Sequence, residues 1–513
     1  MIRAISRPIG GSPLARAALA GALPEWYGPR LNDADAWNIA ASEVADEFQH
    51  CTWLSDLMPA FAPSGVAADR LRAASESGGL VVTGGQQPGL FGGPLYVLHK
   101  AVTLLEMADA LASVTGRAVA PVFWAATDDA DFVEANHVSV VRHGKLELLS
   151  MPADSVAGRS MASTPLGDVT EQIARLEEAC GSAPDPHVLD AVRVAYARNA
   201  TVGGAYVSLL RTLLEPLGIA VLDASHAAVR KAGHDAIARA LGGADEAAAA
   251  LRVRTRAIID AGFHPQVADV PNLSLVFETS DDGTRQRVPI RAAKQVAEDG
   301  KPDRLGPNVL LRPIVERQIL PTVTYVGGPG EVAYFAQVSA VADALGMARP
   351  RISPRWSGTL LEEHIESMLA RLDAGIDDFA DPHAVESRVA REAISEHVRD
   401  AIGSLRRALD SSSDMMRRDA QTNDALSRSV GAMSAGVEHR LERLERRYAA
   451  AIKQIGSERL RDVATVRATL YPAGSPQERV LSFIPFLARY GGAAVDAARA
   501  QARLHVASMI QGG

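Results

Sequence analysis

Short apolar runs bounded by turn residues alternate with helical patterns over the first two thirds of the chain. Apolar residues occupy both alternating faces of several runs, which is typical of strands covered by helices on both sides. Alternating strands and helices predict an α/β fold with a doubly wound parallel sheet. The predicted strands are Leu80–Thr83, Val119–Ala125, Ile219–Leu222, Leu273–Phe277, Val309–Leu311 and Thr322–Val326.

The pattern changes after Pro354. Residues 359–462 contain one proline, Pro382, and are rich in strong helix formers. Apolar residues there recur at alternating steps of four and three, which predicts two helices folded back on each other as an antiparallel coiled coil, with residues 410–414 as the turn. The alternative is a set of ordinary amphipathic helices packed on the globular part. The two apolar series are Val398, Ile402, Leu405 and Leu409, and Val437, Leu441, Leu444, Tyr448, Ala451 and Ile455.

The last part of the chain is compact again, with the apolar run 481–487 and a final alanine-rich helical pattern. We expect this tail to return to the core. The predicted organisation is therefore a core with N-terminal helices and connecting insertions at 1–358, a helical coiled coil at 359–462, and a returning segment at 463–513.

Composition narrows the class of ligand. A chain of 513 residues exceeds the size of one hydrophobic core. The net charge of −8 disfavours a nucleic-acid binder, because phosphate affinity needs clustered Lys and Arg, so small molecules are the expected ligands. No apolar run is long enough for a membrane span. The two cysteines, Cys51 and Cys180, lack the spacing of a disulfide framework or zinc site, which fits a reducing cytoplasm.

A glycine-rich loop joins the predicted strand at 80–83 to a helical pattern. Residues 82–96 read VTGGQQPGLFGGPLY. In strand–loop–helix units, backbone N–H groups and the helix N-terminus meet anions. The glycines would let a ligand approach the main chain, and Gln86 and Gln87 would offer amide donors. The alternative is a tight structural turn, since the formal phosphate-loop and dinucleotide motifs are absent.

Four carboxylates and a histidine follow the strand predicted at 119–125, in the segment WAATDDADFVEANH of residues 124–137. This edge of a parallel sheet is where ligands bind. Repulsion among carboxylates raises the proton affinity of at least one of them, which suits general acid or base chemistry. The same oxygens are typical ligands of Mg²⁺. A third interpretation is a helix N-terminus capped by Asp128 or Asp129.

A third loop, LPTVTYVGGPGEVAY at residues 320–334, contains a GxGxxA pattern formed by Gly328, Gly330 and Ala333. No strand ending in an acid follows at the spacing that a ribose contact needs, because PRISPR occupies residues 350–355. Dinucleotide redox chemistry is therefore disfavoured. The loop remains suited to a carboxylate or phosphate, and Glu331 to an amine.

Basic and imidazole side chains near these loops are further candidates. They are Lys100, Arg312, Arg351, Arg355, His137 and His264. The arginines suit anion clamps, because a guanidinium fork matches carboxylate or phosphate, although each is equally suited to a structural ion pair. The histidines are candidate bases, although a lone histidine is more often an ordinary polar residue.

Taken in order, these segments resemble the bacillithiol biosynthesis cysteine-adding enzymes, the BshC family. Each segment is short, but together they run from about residue 80 to near the C-terminus in a specific order. The resembling segments are 82–96, PVFW at 121–124, DDADF at 128–132, EANH at 134–137, HPQV at 264–267, LRP at 311–313, LPT at 320–322, GGPGEVAY at 327–334, PRISPR at 350–355 and QER at 477–479.

The resemblance implies a Rossmann-like core similar to class I aminoacyl-tRNA synthetases, with a coiled coil that pairs subunits into a homodimer. It also implies a ligase that joins cysteine to glucosaminyl-malate in the last step of bacillithiol assembly. The family's acidic loop often carries a histidine where this chain has Ala130. Any catalytic duty of that histidine must then fall to another group.

Amide formation requires an activated carboxylate, for which ATP with Mg²⁺ is the usual co-substrate, and we expect no tightly bound cofactor. It also requires a base near the attacking amine, for which Asp131 or His137 is the expectation. The predicted catalytic residues are Asp128, Asp129, Asp131 and His137. The predicted binding residues are Gly85, Gln86, Gln87, Gly89, Gly92, Tyr96, Lys100, Trp124, Asn136, His264, Arg312, Gly328, Gly330, Glu331, Tyr334, Arg351 and Arg355.

Two other classes of function stay open. One is an ATP-dependent nucleotidyltransferase or synthetase-like enzyme acting on another small amine, and the other is a non-enzymatic coiled-coil scaffold that binds a metabolite. The expected partners are small molecules and a second copy of the chain, without nucleic acid or membrane. The catalytic hypothesis requires the glycine-rich loops and the acidic segment to converge on one pocket.

Overall fold

A computed structural model describes residues 1–49, 52–76, 78–152, 157–299, 301–381, 383–420, 423–455 and 458–511, with the backbone alone at 453–455. Cys51, Pro382 and the side chain of Ile455 therefore lie outside the described part. The strands are β1 (Ile2–Ser6), β2 (Leu80–Gln86), β3 (Val119–Ala125), β4 (His137–Arg142), β5 (Lys145–Ser150), β6 (Ala220–Asp223), β7 (Leu273–Thr279), β8 (Arg285–Pro289), β9 (Leu305–Pro307), β10 (Thr322–Gly327), β11 (Ile352–Pro354) and β12 (Gly358–Glu362). The helices are α1 (Pro13–Leu19), α2 (Pro24–Tyr27), α3 (Ala34–Glu47), α4 (Trp53–Phe61), α5 (Gly65–Glu76), α6 (Tyr96–Thr115), α7 (Phe132–Ala135), α8 (Thr170–Ala179), α9 (Pro186–Ala195), α10 (Val202–Leu214), α11 (Ala227–Ala232), α12 (His234–Gly242), α13 (Ala244–Asp260), α14 (Ile290–Asp299), α15 (Arg312–Ile319), α16 (Pro329–Ala344), α17 (Glu363–Leu372), α18 (Ala384–Glu392), α19 (Glu396–Asp419), α20 (Asp424–Ile455), α21 (Glu458–Leu470), α22 (Gln477–Val480), α23 (Ile484–Tyr490) and α24 (Gly492–Ile510).

The chain divides into two compact units. The core unit contains Met1–Val140, Glu147–Leu361 and Glu478–Gly513, and the helical unit contains Val141–Leu146 and Glu362–Gln477. The boundaries expected from sequence fell after residues 358 and 462. Within the core unit, the C-terminal helix α24 packs against α6 and β1. Among the described ranges, no helix combines the length and apolarity that a bilayer span requires.

A five-stranded parallel sheet in the order β11-β10-β2-β3-β6 forms the centre of the core unit, which confirms the predicted doubly wound α/β fold. All seven residues of β3 are buried, as the apolar run at 119–125 predicts. One face packs on α4 and α5 through side chains such as Leu57 and Leu71, while α6 packs against β2 and β3. Strand β11 was not predicted, because three residues are too few to show a period.

Two predicted strands differ in the structure. Residues 273–277 do form β7, but it belongs to a separate antiparallel sheet in the order β8-β7-β9. The strand predicted at 309–311 is wrong. The side-chain oxygen of Asn308 accepts hydrogen bonds from the N–H groups of Leu310 (3.1 Å) and Leu311 (3.0 Å), so this run is a turn that leads into α15. Leu310 and Leu311 are buried in this turn, which accounts for the apolar run that predicts a strand.

Helices α19 and α20 pack against each other in the helical unit, which confirms the predicted helical coiled coil. The turn predicted at residues 410–414 is wrong, because α19 continues to Asp419 and buries Ser413. The predicted apolar seam is also only partly correct. Leu441 is buried, but Leu444 and Tyr448 are 40% and 41% exposed, and Ala449 is buried instead. Leu441 and Ala449, the buried residues of this stretch, are eight positions apart, and α20 packs against both α18 and α19.

Candidate active site

A cavity of about 670 Å³ lies at the carboxyl ends of β2, β3 and β10. Its volume falls in the range of small-molecule sites. The glycine-rich loops after β2 and β10 and the acidic segment after β3 all contribute to its wall. The predicted site residues that line it are Gly85, Gln86, Gln87, Tyr96, Lys100, Asp128, Asp129, Arg312, Gly328, Gly330, Glu331, Tyr334 and Arg355.

Other predicted site residues do not line this cavity. Asp131 is exposed and its carboxylate accepts a hydrogen bond from the N–H of Glu134 (3.1 Å), so it caps the short helix α7. His137 is exposed at the start of β4, where its ring is 2.9 Å from the side-chain oxygen of Asn136. His264 is exposed, and Arg351 pairs with Glu43 (2.5 Å). The two groups favoured as bases from sequence, Asp131 and His137, are therefore outside the cavity, although Glu134, which lies between them in sequence, lines it.

The far part of the first glycine-rich loop has a structural role. The hydroxyl of Tyr196 donates to the carbonyl oxygen of Gly89 and accepts from the N–H of Gly92, both at 3.1 Å. Gly92 has a φ of +82° and a Cβ there would lie 2.6 Å from the ring of Phe483. The loop therefore divides into a cavity-lining part, residues 85–87, and an anchored part. Trp124 packs into the apolar cluster beneath the sheet edge.

Lys100 and Glu331 form a buried ion pair at the cavity wall, with 2.6 Å between Nζ and Oε2. Lys100 projects from α6 and also donates to the carbonyl oxygen of Gly85. Glu331, in the first turn of α16, accepts the N–H of Gly328 (2.6 Å) and the hydroxyl of Tyr325. Burial alone would raise the pKa of Glu331, but the ammonium of Lys100 and these hydrogen bonds lower it overall. Burial also lowers the pKa of Lys100, and Glu331 opposes that change.

Arg312, the first residue of α15, lies beside this pair. Its guanidinium donates to Glu316 (2.9 Å) and to the hydroxyls of Tyr325 (3.1 Å) and Tyr334 (3.3 Å). It also lies 5.1 Å from the centroid of the Tyr325 ring. Burial raises the pKa of Glu316 to about 7, and Arg312 opposes that rise. This wall is therefore a rigid network of polar groups contributed by α6, β10, α15 and α16.

Arg355 lines the cavity while its guanidinium is held from behind by Glu478. The two side chains are 3% and 5% exposed, and both terminal nitrogens of Arg355 donate to the carboxylate at 3.0 and 2.8 Å. Glu478 also accepts from the ring of His99 (2.8 Å) and from Ser357 (2.9 Å). Burial would raise the pKa of Glu478, but Arg355 and His99 hold it well below its ordinary value.

The carboxylates of the acidic wall differ in the hydrogen bonds that they accept. Both oxygens of Asp129 are occupied, one by Gln87 and one by the backbone N–H groups of residues 130 and 131. Glu134 accepts no hydrogen bond from a described residue. The pKa of Glu134 is raised above its ordinary value by partial desolvation of its carboxylate, although the residue as a whole is exposed, and by the carboxylates of Asp131 and Asp129. Glu134 is thus the carboxylate on this wall that is best placed to take up a proton.

Several cavity residues were not on the predicted site list. Glu134 was within the quoted acidic segment, whose crowding was the signal for it. Arg285 pairs with Asp128 (3.4 Å) and lies 4.5 Å from the Phe277 ring centroid, which brings the antiparallel sheet to the cavity. No local pattern singles out these positions. The other unpredicted polar lining residues are Arg287, Asn308 and Arg479.

The cavity combines cationic and anionic walls, which suits small molecules that carry both amines and carboxylates or phosphates. Arg479 has no hydrogen-bond or ion-pair partner among the described residues, so its guanidinium can pair with a ligand anion. In the described part of the chain, no group of three His, Cys, Asp or Glu side chains is arranged to hold a metal ion.

Comparison with known proteins gives the family. The model of the bacillithiol biosynthesis BshC N-terminal Rossmann-like domain matches residues 26–356, and that of the BshC C-terminal coiled-coil domain matches residues 358–504. Relatives named "Putative cysteine ligase BshC" include one from Solibacter usitatus, 29% identical over 91% of this chain and 90% of its own. Another, from Koribacter versatilis, is 31% identical over 82% of this chain and 81% of its own. The chain belongs to the bacillithiol biosynthesis BshC family.

Proposed function

We propose that the protein is a cytoplasmic ligase that joins the carboxylate of cysteine to the amine of glucosaminyl-malate, the last step of bacillithiol assembly. Family membership supports the pathway, and the name of the relatives supports cysteine as the acyl donor. The observation that carries the proposal is the cavity itself. It sets Glu134, whose carboxylate has no hydrogen-bond partner among the described residues, in one wall and cationic groups in the others, as an amine nucleophile with carboxylate substituents requires.

Glu134 is the proposed general base. The sugar amine attacks the carbonyl carbon of the activated cysteine, the leaving group departs, and the proton of the amine passes to the carboxylate. Its raised pKa supports this role, because a base works best when its pKa approaches the working pH. Asp129 is already engaged by Gln87 and the backbone, and we assign it the positioning of that loop.

The carboxylates of the malate moiety are proposed to bind at the cationic walls. Arg479 lines the cavity without a partner among the described residues, and the rigid fork of its guanidinium matches a carboxylate. Arg355 adds positive charge only, because its own fork is held by Glu478. The side-chain nitrogen of Gln86 adds a further donor, since the amide oxygen already accepts from Lys100 (3.2 Å). Lys100 and Arg312 already donate hydrogen bonds to Glu331 and Glu316. We therefore expect them to position the wall of the cavity rather than to bind the carboxylates directly.

ATP is the proposed co-substrate, and it would supply the activation of the cysteine carboxylate. The N-terminus of α16 faces the cavity through Gly330, although the N–H of Gly328 is already taken by Glu331. Arg355 would therefore supply positive charge near a phosphate, while Arg479 pairs with the malate carboxylate. Mg²⁺ would arrive on the phosphates with its waters, which fits a wall that offers single carboxylates.

We also propose that two chains pair through the coiled coil. Exposed apolar side chains on α19 and α20 support this arrangement, because a row of them costs free energy in water unless a partner covers it. The exposed apolar residues are Leu405, Met415, Met416, Leu426, Met433, Leu444 and Tyr448.

The proposed reaction is tested by incubating the purified protein with cysteine and glucosaminyl-malate, with and without ATP, and identifying the products by mass spectrometry. We expect the cysteinyl amide to form only with ATP. Replacing Glu134 with Gln should lower kcat by about 10²-fold or more. The wild-type rate should rise with pH through a midpoint above the ordinary glutamate pKa, because the base works only when deprotonated, and this dependence should vanish in Glu134→Gln.

The matched control is Asp131→Asn, which removes an acid from the same loop but outside the cavity. It should retain kcat within about threefold, while the midpoint of the pH dependence falls, because the Asp131 carboxylate contributes to the raised pKa of Glu134. A full loss in Asp131→Asn with normal activity in Glu134→Gln would reverse the assignment of the base. The absence of any cysteine-containing product from the wild-type protein would contradict the proposed function.

A further inference from the structure

A small side pocket of about 20 Å³ adjoins the main cavity. The two spaces share Asp128, Arg285 and Pro307 in their walls, so the Asp128–Arg285 pair stands between them. The remaining wall comes from β3, α11, α12, α15 and the antiparallel sheet. Its apolar residues include Trp124, Val229, Ile237 and Val315, and its polar residues are Arg230 and Thr279.

The side pocket contains an unsatisfied donor. Trp124 is 2% exposed, and its indole N–H has no hydrogen-bond partner among the described residues. Buried donors in folded proteins nearly always have a partner, so an acceptor is expected at this position when the site is filled. The charged neighbours are otherwise engaged, since Arg230 donates to the carbonyl oxygen of Asp303 and Arg285 pairs with Asp128.

The size and polarity of the side pocket restrict its occupant. The volume is enough for about one water-sized group. A buried water needs two to four polar partners, whereas a thiol needs fewer. Of the polar side chains in this wall, Arg230, Arg285 and Asp128 are already engaged, which leaves Trp124 and Thr279. A group that is small, weakly hydrated and able to accept one weak hydrogen bond fits better. A thiol has these properties, because sulfur is polarizable and a cysteine side chain behaves as a small hydrophobe.

We infer that the side pocket receives the thiol of the cysteine substrate, with the indole N–H of Trp124 donating to the sulfur. This inference rests on the proposed function. It explains how the amino acid is selected, because a serine hydroxyl placed there would lose its hydrogen bonds to water and recover at most one. A longer side chain such as that of homocysteine would exceed the space.

The strand register supports this division of the substrate between the two spaces. Gly85 of β2 pairs with Trp124 of β3, and a Cβ on Gly85 would lie 3.2 Å from the Cβ of Trp124. Gly85 lines the main cavity, whereas Trp124 lines the side pocket. An amino acid whose carboxyl carbon lies over Gly85 would therefore extend its side chain past Asp128 toward Trp124.

The test measures kcat/KM for cysteine, homocysteine and serine with Val315→Ala. Removing two methyl groups enlarges the side pocket, so the ratio of homocysteine to cysteine should rise about tenfold. The matched control is Val338→Ala, which truncates a buried valine of the same apolar cluster that lines neither space. This control should leave the ratio within about twofold.

Trp124→Phe is the second variant, because it keeps an aromatic ring and removes the donor. It should raise the KM for cysteine about tenfold while the KM for the amino sugar stays unchanged. If the wild-type protein ligates cysteine but neither variant changes selectivity beyond the Val338→Ala control, the side-pocket inference is overturned and the proposed function stands. If the wild-type protein does not use cysteine, both are overturned.

Discussion

Arginine–glutamate pairs occur in both units, but they do different physical work. In the core unit, Arg355 and Glu478 are 3% and 5% exposed and are joined by two hydrogen bonds at 2.8 and 3.0 Å. In the helical unit, Arg406 bonds to Glu438 (2.9 Å) and Glu445 (3.0 Å) with similar geometry, but these side chains are 30–40% exposed. The pairs in the two units therefore have the same residue types and nearly equal hydrogen-bond lengths, and they differ in how far their side chains are buried.

The difference matters because water competes with the pair in one unit and not in the other. A buried charge that loses its partner has neither solvent nor counter-ion, whereas an exposed one is rehydrated and screened. Glu478 also gathers His99 and Ser357 around Arg355, so it fixes a cavity residue in place. The exposed pairs between α19 and α20 can at most favour one relative position of the two helices along each other.

The largest effect is expected for Glu478→Gln. Removing this charge leaves Arg355 buried without its counter-ion, which should lower the free energy of unfolding of the core unit by about 3–5 kcal/mol. The pKa of Glu478 is depressed in the folded protein, so its stabilisation is present above the ordinary glutamate pKa. It is lost as the pH falls toward the folded-state pKa. Urea unfolding at several pH values measures the difference.

The control for this variant is Glu438→Gln, the same chemical change in the helical unit. It should leave the urea transition of the core unit unchanged. Equal destabilisation by the two substitutions, or a Glu478→Gln deficit that does not shrink at acid pH, would contradict the role given to burial.

A small effect is expected for Arg406→Gln. The loss of its exposed pairs should cost at most about 1 kcal/mol of unfolding free energy, and the deficit should fall further in about 1 M salt because exposed charges are screened. Thermal unfolding of the wild type and variant at two salt concentrations gives the comparison. A deficit that is large and insensitive to salt would show that Arg406 is effectively desolvated.

The smallest effect on folding is expected for the double substitution Leu444→Ser and Tyr448→Ser. Both side chains are about 40% exposed, so the free energy of unfolding of a single chain should change by about 0.5 kcal/mol or less per site. If these residues form the proposed dimer contact, analytical ultracentrifugation should show a shift from dimer to monomer. A variant that stays dimeric would locate the pairing surface elsewhere.

Local patterns predicted most elements of the core. Strands β2, β3, β6 and β10 appear as buried apolar runs, because a strand covered on both faces needs apolar residues at every position. The same logic misassigned residues 309–311, since a buried turn is just as apolar as a short strand. It also missed β11, whose three residues carry no period. In α20, Leu444 and Tyr448 satisfied a heptad but lie outside the contact with α19.

The cavity was predicted in part. The loops after β2, β3 and β10 were expected at one sheet edge, because the carboxyl ends of parallel strands share that edge. Asp131 and Glu134 lie in the same acidic segment, yet one caps α7 outside the cavity and the other lines it. Their spacing could not decide between them. Arg285 and Arg479 reach the cavity from distant parts of the chain. No local pattern marks Arg285, and Arg479 was noted only within the segment QER of the family resemblance.

The sequence by itself determined four strands of the central sheet, where the glycine-rich loops lie, and that the chain belongs to one family, because these features depend on residues close together along the chain. The tertiary structure decided which carboxylate lacks a hydrogen-bond partner among the described residues, which arginines are already paired, and where a small side pocket opens beside Trp124. Those properties depend on distances between residues far apart in sequence and on the exclusion of water around them, and both arise only when the chain is folded.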